Sequence, residues 1–364
     1  TSVRFVDEFQ DPQLARSLVH AIADASTRTA SFMEFCGGHT HAILRYGIRD
    51  LLPKNITLSS GPGCPVCVTA PGDIDRAAGL ALERGIITAT YGDLIRVPGS
   101  TTSLQQIRAR GGDVRVVYSA LDALQLAAEN PTSLVVLPGI GFETTAPTVA
   151  ATILKAERQG LTNFRVFPLL KLTAPIMQAL LSSGETRIDG IICPGHVSVI
   201  TGTHPYDFIP REFDVACAVA GFEPLDILGA VRALTVQLEQ QHPRVENTYP
   251  RAVKPEGNRV ALATMNEVFE PCAAQWRGIG TVPESGLRLR SRFSLFDATP
   301  MLQNVRSDEA EPPGCKCGDI LRGIAAPVDC AHFGSACTPE HPIGPCMVSA
   351  EGSCAAYYAY TLHN

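Results

Sequence analysis

Short, continuous apolar runs alternate with stretches of helical spacing over most of this chain, and that alternation restricts the fold more than any other feature. Ser31 to Phe35, Ile56 to Ser60, Ile86 to Tyr91 and Val114 to Tyr118 read as strands, and so do Leu134 to Leu137, Phe164 to Leu170, Ile188 to Cys193 and Val215 to Val219. Helices are predicted between them: Thr40 to Leu52, a helix capped by Asp73 and stopped at Gly85, one from about Ala146 to Gln159 that Gly160 stops, and Pro224 to Leu238. Strands that are apolar throughout need cover on both faces, and a helix after each strand supplies it, so parallel sheets are expected. The rhythm restarts once. The expected fold is therefore α/β, with two parallel-sheet domains, residues 1–130 and 131–245, around a cleft. Residues 246–364 are expected to be an irregular or β-rich connector followed by a small cysteine-rich domain. Ligands of open α/β sheets bind beyond the carboxyl ends of strands. Cys36, Cys64, Gly141 and His196 all fall just past predicted strands, so they are expected to converge on the cleft between the two domains.

The net charge is −6 and no basic run occurs, which argues against nucleic acid and anionic membranes as partners. No apolar stretch is long enough to span a bilayer, and Thr1 to Gln10 carries no signal-peptide core, so a reducing, cytoplasmic setting is expected. In that setting, twelve cysteines point to metal or redox chemistry rather than structural disulfides.

Three early thiols lie in two glycine-rich motifs. Cys36-Gly37-Gly38-His39-Thr40-His41 offers a thiolate and two imidazoles, donors suited to iron, copper or zinc, at the start of a helix. The same residues also suit a capped turn with a buried thiol and two surface histidines. Gly61-Pro62-Gly63-Cys64-Pro65-Val66-Cys67 has the C-x-x-C spacing that chelates a metal or forms a small redox disulfide. Gly139-Ile140-Gly141-Phe142-Glu143-Thr144-Thr145 lacks the lysine of a phosphate-binding loop and serves equally well as a turn that places Glu143 in the cleft. Pro194-Gly195-His196-Val197-Ser198 is another strand-end turn bearing a histidine. Cys193, Cys217 and Cys272 are expected to pack as small apolar residues.

The last fifty residues hold Cys315, Cys317, Cys330, Cys337, Cys346 and Cys354 among glycines and prolines. An iron–sulfur cluster needs four thiolates on a loop-rich segment that can wrap it. Six exceed that by two, and the surplus pair suits a redox disulfide. Zinc is the rival, although the unequal gaps and the absence of paired knuckles speak against it.

Together the motifs CGGHTH, GPGCPVC, GFETTAP, PGHVSVITG and CTP…GPCMVSAEGSC resemble the hydrogenase maturation family HypD over nearly the whole chain. The resemblance implies assembly of the Fe(CN)2CO centre of nickel–iron hydrogenase. The chain would be a redox-active scaffold rather than a turnover enzyme and would work with a small partner, HypC. HypE would be the cyanide donor with HypF upstream, and the hydrogenase large-subunit precursor would be served indirectly. It also implies a resident 4Fe–4S cluster. On this reading Cys36 binds the iron being built, His39 and His41 orient ligands or move protons, and Cys64 and Cys67 form a redox dithiol. Glu143 and His196 join the site. Cys330, Cys337, Cys346 and Cys354 are favoured as cluster ligands, leaving Cys315 and Cys317 as the surplus pair or alternate ligands. The competing reading is a thiol–disulfide oxidoreductase acting on a protein disulfide.

Overall fold

A computed structural model describes residues 7–302 and 311–361 of the chain. Among them the strands are β1 (Ala30–Glu34), β2 (Ile56–Ser60), β3 (Ile86–Tyr91), β4 (Val114–Val117), β5 (Leu134–Gly141), β6 (Phe164–Leu170), β7 (Gly190–Pro194), β8 (Ala216–Ala220), β9 (Val245–Asn247), β10 (Phe269–Trp276) and β11 (Gly280–Leu289). Two sheets are wholly parallel. One runs β2-β1-β7-β8-β9 and the other β4-β3-β5-β6, while β10 and β11 form an antiparallel hairpin. The α/β architecture is as the alternation dictates, and the strands are apolar because both faces are covered: β7 and β8 are buried at every position.

The strands do not divide between sheets at residue 130. The first sheet draws on both ends of the α/β region, and the second, residues 86–170, is inserted between β2 and β7. The contiguous domains 1–130 and 131–245 are thus corrected to one sheet interrupted by another. Periodicity reports that a strand is buried, not which neighbour it pairs with, so the insertion leaves no local mark. β5 shows how a proline survives in such a sheet. Pro138 lies beyond Val136, where pairing with β3 ends, so the missing N–H costs no bond on that side.

The connector is more regular than expected. It contains a helix, Arg259–Val268, the β10–β11 hairpin and a 3-10 turn, Ser291–Phe296; residues 303–310 of it lie outside the described residues. The cysteine segment is not a separate appendage. Cys317, Cys337, Cys346, Met347 and Cys354 share one apolar core with Met33 and Ile191 of the first sheet and Val136 and Ile140 of the second. No helix among the described residues is long and apolar enough to cross a membrane.

Candidate metal and thiol centre

In the first sheet the chain order reverses between β1 and β7, and the crevice beyond their carboxyl ends is where an open sheet of this kind binds its ligand. Cys36 follows β1 and His196 follows β7. The Cys36 Sγ stands 3.6 Å from His196 Nδ1. Both line a pocket of about 400 Å³ whose rim carries His41, Arg45, Phe222, Glu223 and Glu351.

The strand ends in Glu34, a carboxyl buried to 2 % exposure. It accepts the Cys36 N–H at 2.9 Å and the Thr40 hydroxyl, which anchors the first turn of the helix Gly37–Arg45. Burial pushes its pKa up to about 8. Burial also pushes the Cys36 thiol up, with Glu34 and Glu351 adding to the effect. His196 is lowered to about 4 by the same cause. At neutral pH the three innermost groups are therefore uncharged: a thiol, a neutral imidazole and a protonated carboxyl. A soft cation entering here would replace the thiol proton, since a thiolate is the form that ligates such a cation.

His39 and His41 separate into two roles. His39 is fully buried, stacks on Phe222 with ring centroids 4.8 Å apart, and donates Nε2–H to the Gly221 carbonyl at 2.9 Å. The proton is assigned to Nε2 because both of that atom's neighbours are carbonyl oxygens. Desolvation lowers this imidazole to about 4, so it is a neutral strut between the helix and the end of β8. His41 is at the pocket, its Nε2 hydrogen-bonded to the Tyr360 hydroxyl at 2.9 Å.

Glu351 and Glu34 were not read from the sequence as site residues. Glu34 had a signal: it is the one charged residue in the strand ASFME. Glu351 comes from the far end of the chain. A Cβ at position 37 would stand 2.2 Å from its carbonyl oxygen, so a glycine is required for the cysteine segment to close this wall.

Glu143 is elsewhere. It follows β5, at the corresponding reversal point of the second sheet, and does not line the Cys36 pocket; Gly141 lies with it. The cleft holding Cys36 is bounded by the first sheet and the cysteine segment, not by the two sheets. Glu143 Oε1 accepts the backbone N–H and the hydroxyl of Thr173 at 2.8 and 2.9 Å, whereas Oε2 has no partner among the described residues. Burial raises its pKa to about 6. A carboxyl raised from 4.5 in the unfolded chain to about 6 in the fold lends stability that is complete below pH 4.5 and is lost as pH rises through 6. The loss is about 2 kcal/mol, from 1.36 kcal/mol per pH unit. Glu143→Gln is expected to flatten that slope. Denaturant midpoints at pH 4.5 and 7.5 should favour the variant at the higher pH, and an equal wild-type-to-variant difference at both would refute the account.

The remaining thiols form a connected group. Cys64 caps the short helix Pro65–Val68, its Sγ accepting the Cys67 N–H at 3.3 Å, and the motif is tied to the Cys36 turn by Gly37 N–H to the Gly63 carbonyl at 3.2 Å. Cys67 is fully buried and within hydrogen-bonding reach of Cys346. Cys346, also fully buried, is within the same reach of Cys317 and Cys354. A small cavity is lined by Cys315, Cys317, Cys330, Cys337 and Cys354, without Cys346. Gly344 lies against two of these thiols: a Cβ there would stand 2.6 Å from the Sγ atoms of both Cys315 and Cys317. The room left by that missing side chain, surrounded by thiols, fits an iron–sulfur cluster. The grouping differs from the expected set of Cys330, Cys337, Cys346 and Cys354, because Cys315 lines the cavity and Cys346 does not. All twelve cysteines are free thiols. Cys193 and Cys217 are buried on β7 and β8 with Sγ atoms 3.3 Å apart, and Cys272 lies on β10.

The sequence model of the family described as HypD, Hydrogenase formation hypA family, matches residues 13–361. The chain is 48% identical to the hydrogenase maturation factor HypD2 of Bradyrhizobium diazoefficiens, an alignment that covers 98% of this chain and 97% of the relative. It is 46% identical to the hydrogenase maturation factor HypD of Cupriavidus necator, over 98% of this chain and 97% of that one. With the HypD of Escherichia coli the identity is 42%, over 98% of each.

Proposed function

The chain belongs to the HypD family of hydrogenase formation proteins and serves hydrogenase maturation, and from that premise we propose that Cys36 holds the iron while it acquires cyanide and carbon monoxide. The observation that carries this is the Cys36 thiol set 3.6 Å from His196 at the reversal point of the first sheet, in a pocket of about 400 Å³. The iron is cargo here. This pocket offers one thiolate and one imidazole, so further donors come from a partner, for which the small protein HypC is the candidate. HypE, supplied by HypF, would deliver cyanide to the same pocket, and the hydrogenase precursor would receive the product. His196 Nδ1 is placed to hydrogen-bond the Cys36 sulfur, and Glu351 and Arg45 give the mouth both signs of charge for orienting a polar diatomic donor.

The thiols beneath supply reducing equivalents. A Cys64–Cys67 disulfide is opened when the Cys346 thiolate attacks the Cys67 sulfur: the new bond is Cys67–Cys346, and Cys64 leaves and takes a proton. Cys317 then attacks Cys346 and releases Cys67. One dithiol has been exchanged for another, and a Cys317–Cys346 disulfide remains. The residues that fit a resident 4Fe–4S cluster are Cys315, Cys330, Cys337 and Cys354, and bound there it would supply single electrons. Cys317 and Cys346, rather than Cys315 and Cys317, are then the redox pair. The setting is the cytoplasm, whose reducing poise suits twelve free thiols.

Infrared spectra of the protein purified anaerobically with HypC test the reading. Cyanide and carbonyl stretches are expected; a spectrum without either, from a complex that still supports maturation, would remove Cys36 as the place where iron is built.

A further inference from the structure

One aromatic ring in the Cys36 pocket has no part in the chemistry described so far. Phe222 lies just past β8, and its side chain lines the pocket together with Cys36 and His196. The ring touches a histidine from each of two strand-end motifs. Its centroid is 4.8 Å from that of His39, with the planes 28° apart, and 5.3 Å from that of His196, with the planes 47° apart. Both separations are those of rings in direct contact. The Cys36 motif is fitted to the same ring, since a Cβ at position 38 would stand 3.1 Å from it and press upon it.

The two imidazoles are held very differently. His39 is fully buried, and its Nε2–H is shared between the carbonyls of Gly221 at 2.9 Å and Ala220 at 3.3 Å, so that ring is fixed to the end of β8. His196 makes one hydrogen bond among the described residues, to the Cys36 sulfur at 3.6 Å. Sulfur is a weak acceptor, and the outer torsion of a histidine side chain is soft, so this tether alone does not set the direction of the ring. Groups that support a metal ligand keep their direction through further partners. For His196 the partner at hand is no carboxylate or carbonyl but the Phe222 ring, which packs in turn on the fixed His39.

We propose that Phe222 is a positioning residue of the iron pocket, holding His196 with Nδ1 toward the Cys36 sulfur while His39 holds Phe222; the inference rests on the iron-holding role proposed for Cys36. It gives His39 a part in the site without contact with the iron. Once iron has displaced the thiol proton, the sulfur is a thiolate and Nδ1–H donates to it. That hydrogen bond draws electron density from the sulfur and hence from the iron. Back-donation into a carbonyl ligand is then weaker, and its stretch lies at higher wavenumber than it would without the imidazole.

The test is the infrared spectrum of the complex with HypC, purified anaerobically. Phe222→Leu, apolar but without a ring, is expected to move the carbonyl band to lower wavenumber, toward its place in His196→Ala, and to broaden it. Added to His196→Ala, the same substitution is expected to move the remaining band no further, because Phe222 acts through that imidazole. Phe222→Tyr keeps the ring and should keep the wild-type band. Phe222→Met repeats the measurement should the leucine variant fail to fold. A merely structural role would lower the amplitude at an unmoved wavenumber, and that result overturns the proposal. A shift as large in His196→Ala as in the wild type, or a tyrosine variant that shifts like the leucine one, overturns it too. Wild-type complex with neither cyanide nor carbonyl bands sinks the iron-holding reading and this inference together, whereas normal wild-type bands with an unmoved Phe222→Leu band sink this inference alone.

Discussion

Cys36→Ala is expected to strip the cyanide- and carbonyl-bearing iron from the protein and to lower hydrogenase maturation by about 100-fold or more, since even partners that only orient a metal ligand are worth about 10–100-fold. The thiol is the one soft donor in the pocket, and the fold keeps it protonated until a cation displaces the proton. Serine is no substitute, because its hydroxyl is a hard donor and does not ionise at neutral pH. His196→Ala should cost less, about 10-fold to 100-fold, because the imidazole 3.6 Å away supports the sulfur. The measurement is the infrared amplitude of cyanide and carbonyl bands per mole of anaerobic complex. Wild-type amplitude in Cys36→Ala would end the assignment.

The second large effect separates two ways of dividing the C-terminal thiols. Cys315→Ala is expected to lose the cluster, read as loss of visible absorption and of acid-labile sulfide. Cys346→Ala is expected to keep both and yet to slow re-reduction of a Cys64–Cys67 disulfide by at least about 10-fold, read by differential alkylation and mass spectrometry. The reasons are positional: Cys315 lines the thiol cavity, whereas Cys346 does not and is within reach of both Cys67 and Cys317. The opposite pattern, with Cys346→Ala losing sulfide and Cys315→Ala retaining it, would restore the division expected from the sequence.

Much of the site is legible without coordinates. Glycines just past apolar strands mark where the backbone turns and where ligands bind, and this locates Cys36 and His196 at strand ends that prove to be neighbours. Glu143 was expected in the same cleft by the same rule. The rule holds for it, since it also follows a strand, but its strand belongs to the other sheet. Gly141 and Glu143 therefore occupy a second reversal point, and a strand-end motif by itself does not say which sheet it serves. The histidines show a similar limit. His39 and His41 are two residues apart in one motif, yet a helix turns them to different faces, one into the core against Phe222 and one to the pocket against Tyr360.

The sequence alone determined the α/β class, the positions of most strands and helices, the thiol inventory and the family. These depend on local burial and on residue types at short spacing, which any stretch of chain carries with it. Only the tertiary structure decided that one sheet is inserted within the other and that Glu351 walls the Cys36 pocket. It also decided that Cys346 comes within reach of Cys67 while Cys315 lines the thiol cavity. Each of these is a contact between residues far apart in the chain. Such contacts are set by which surfaces pack together, and a free energy shared among the partners of a whole core leaves no signature in any one segment.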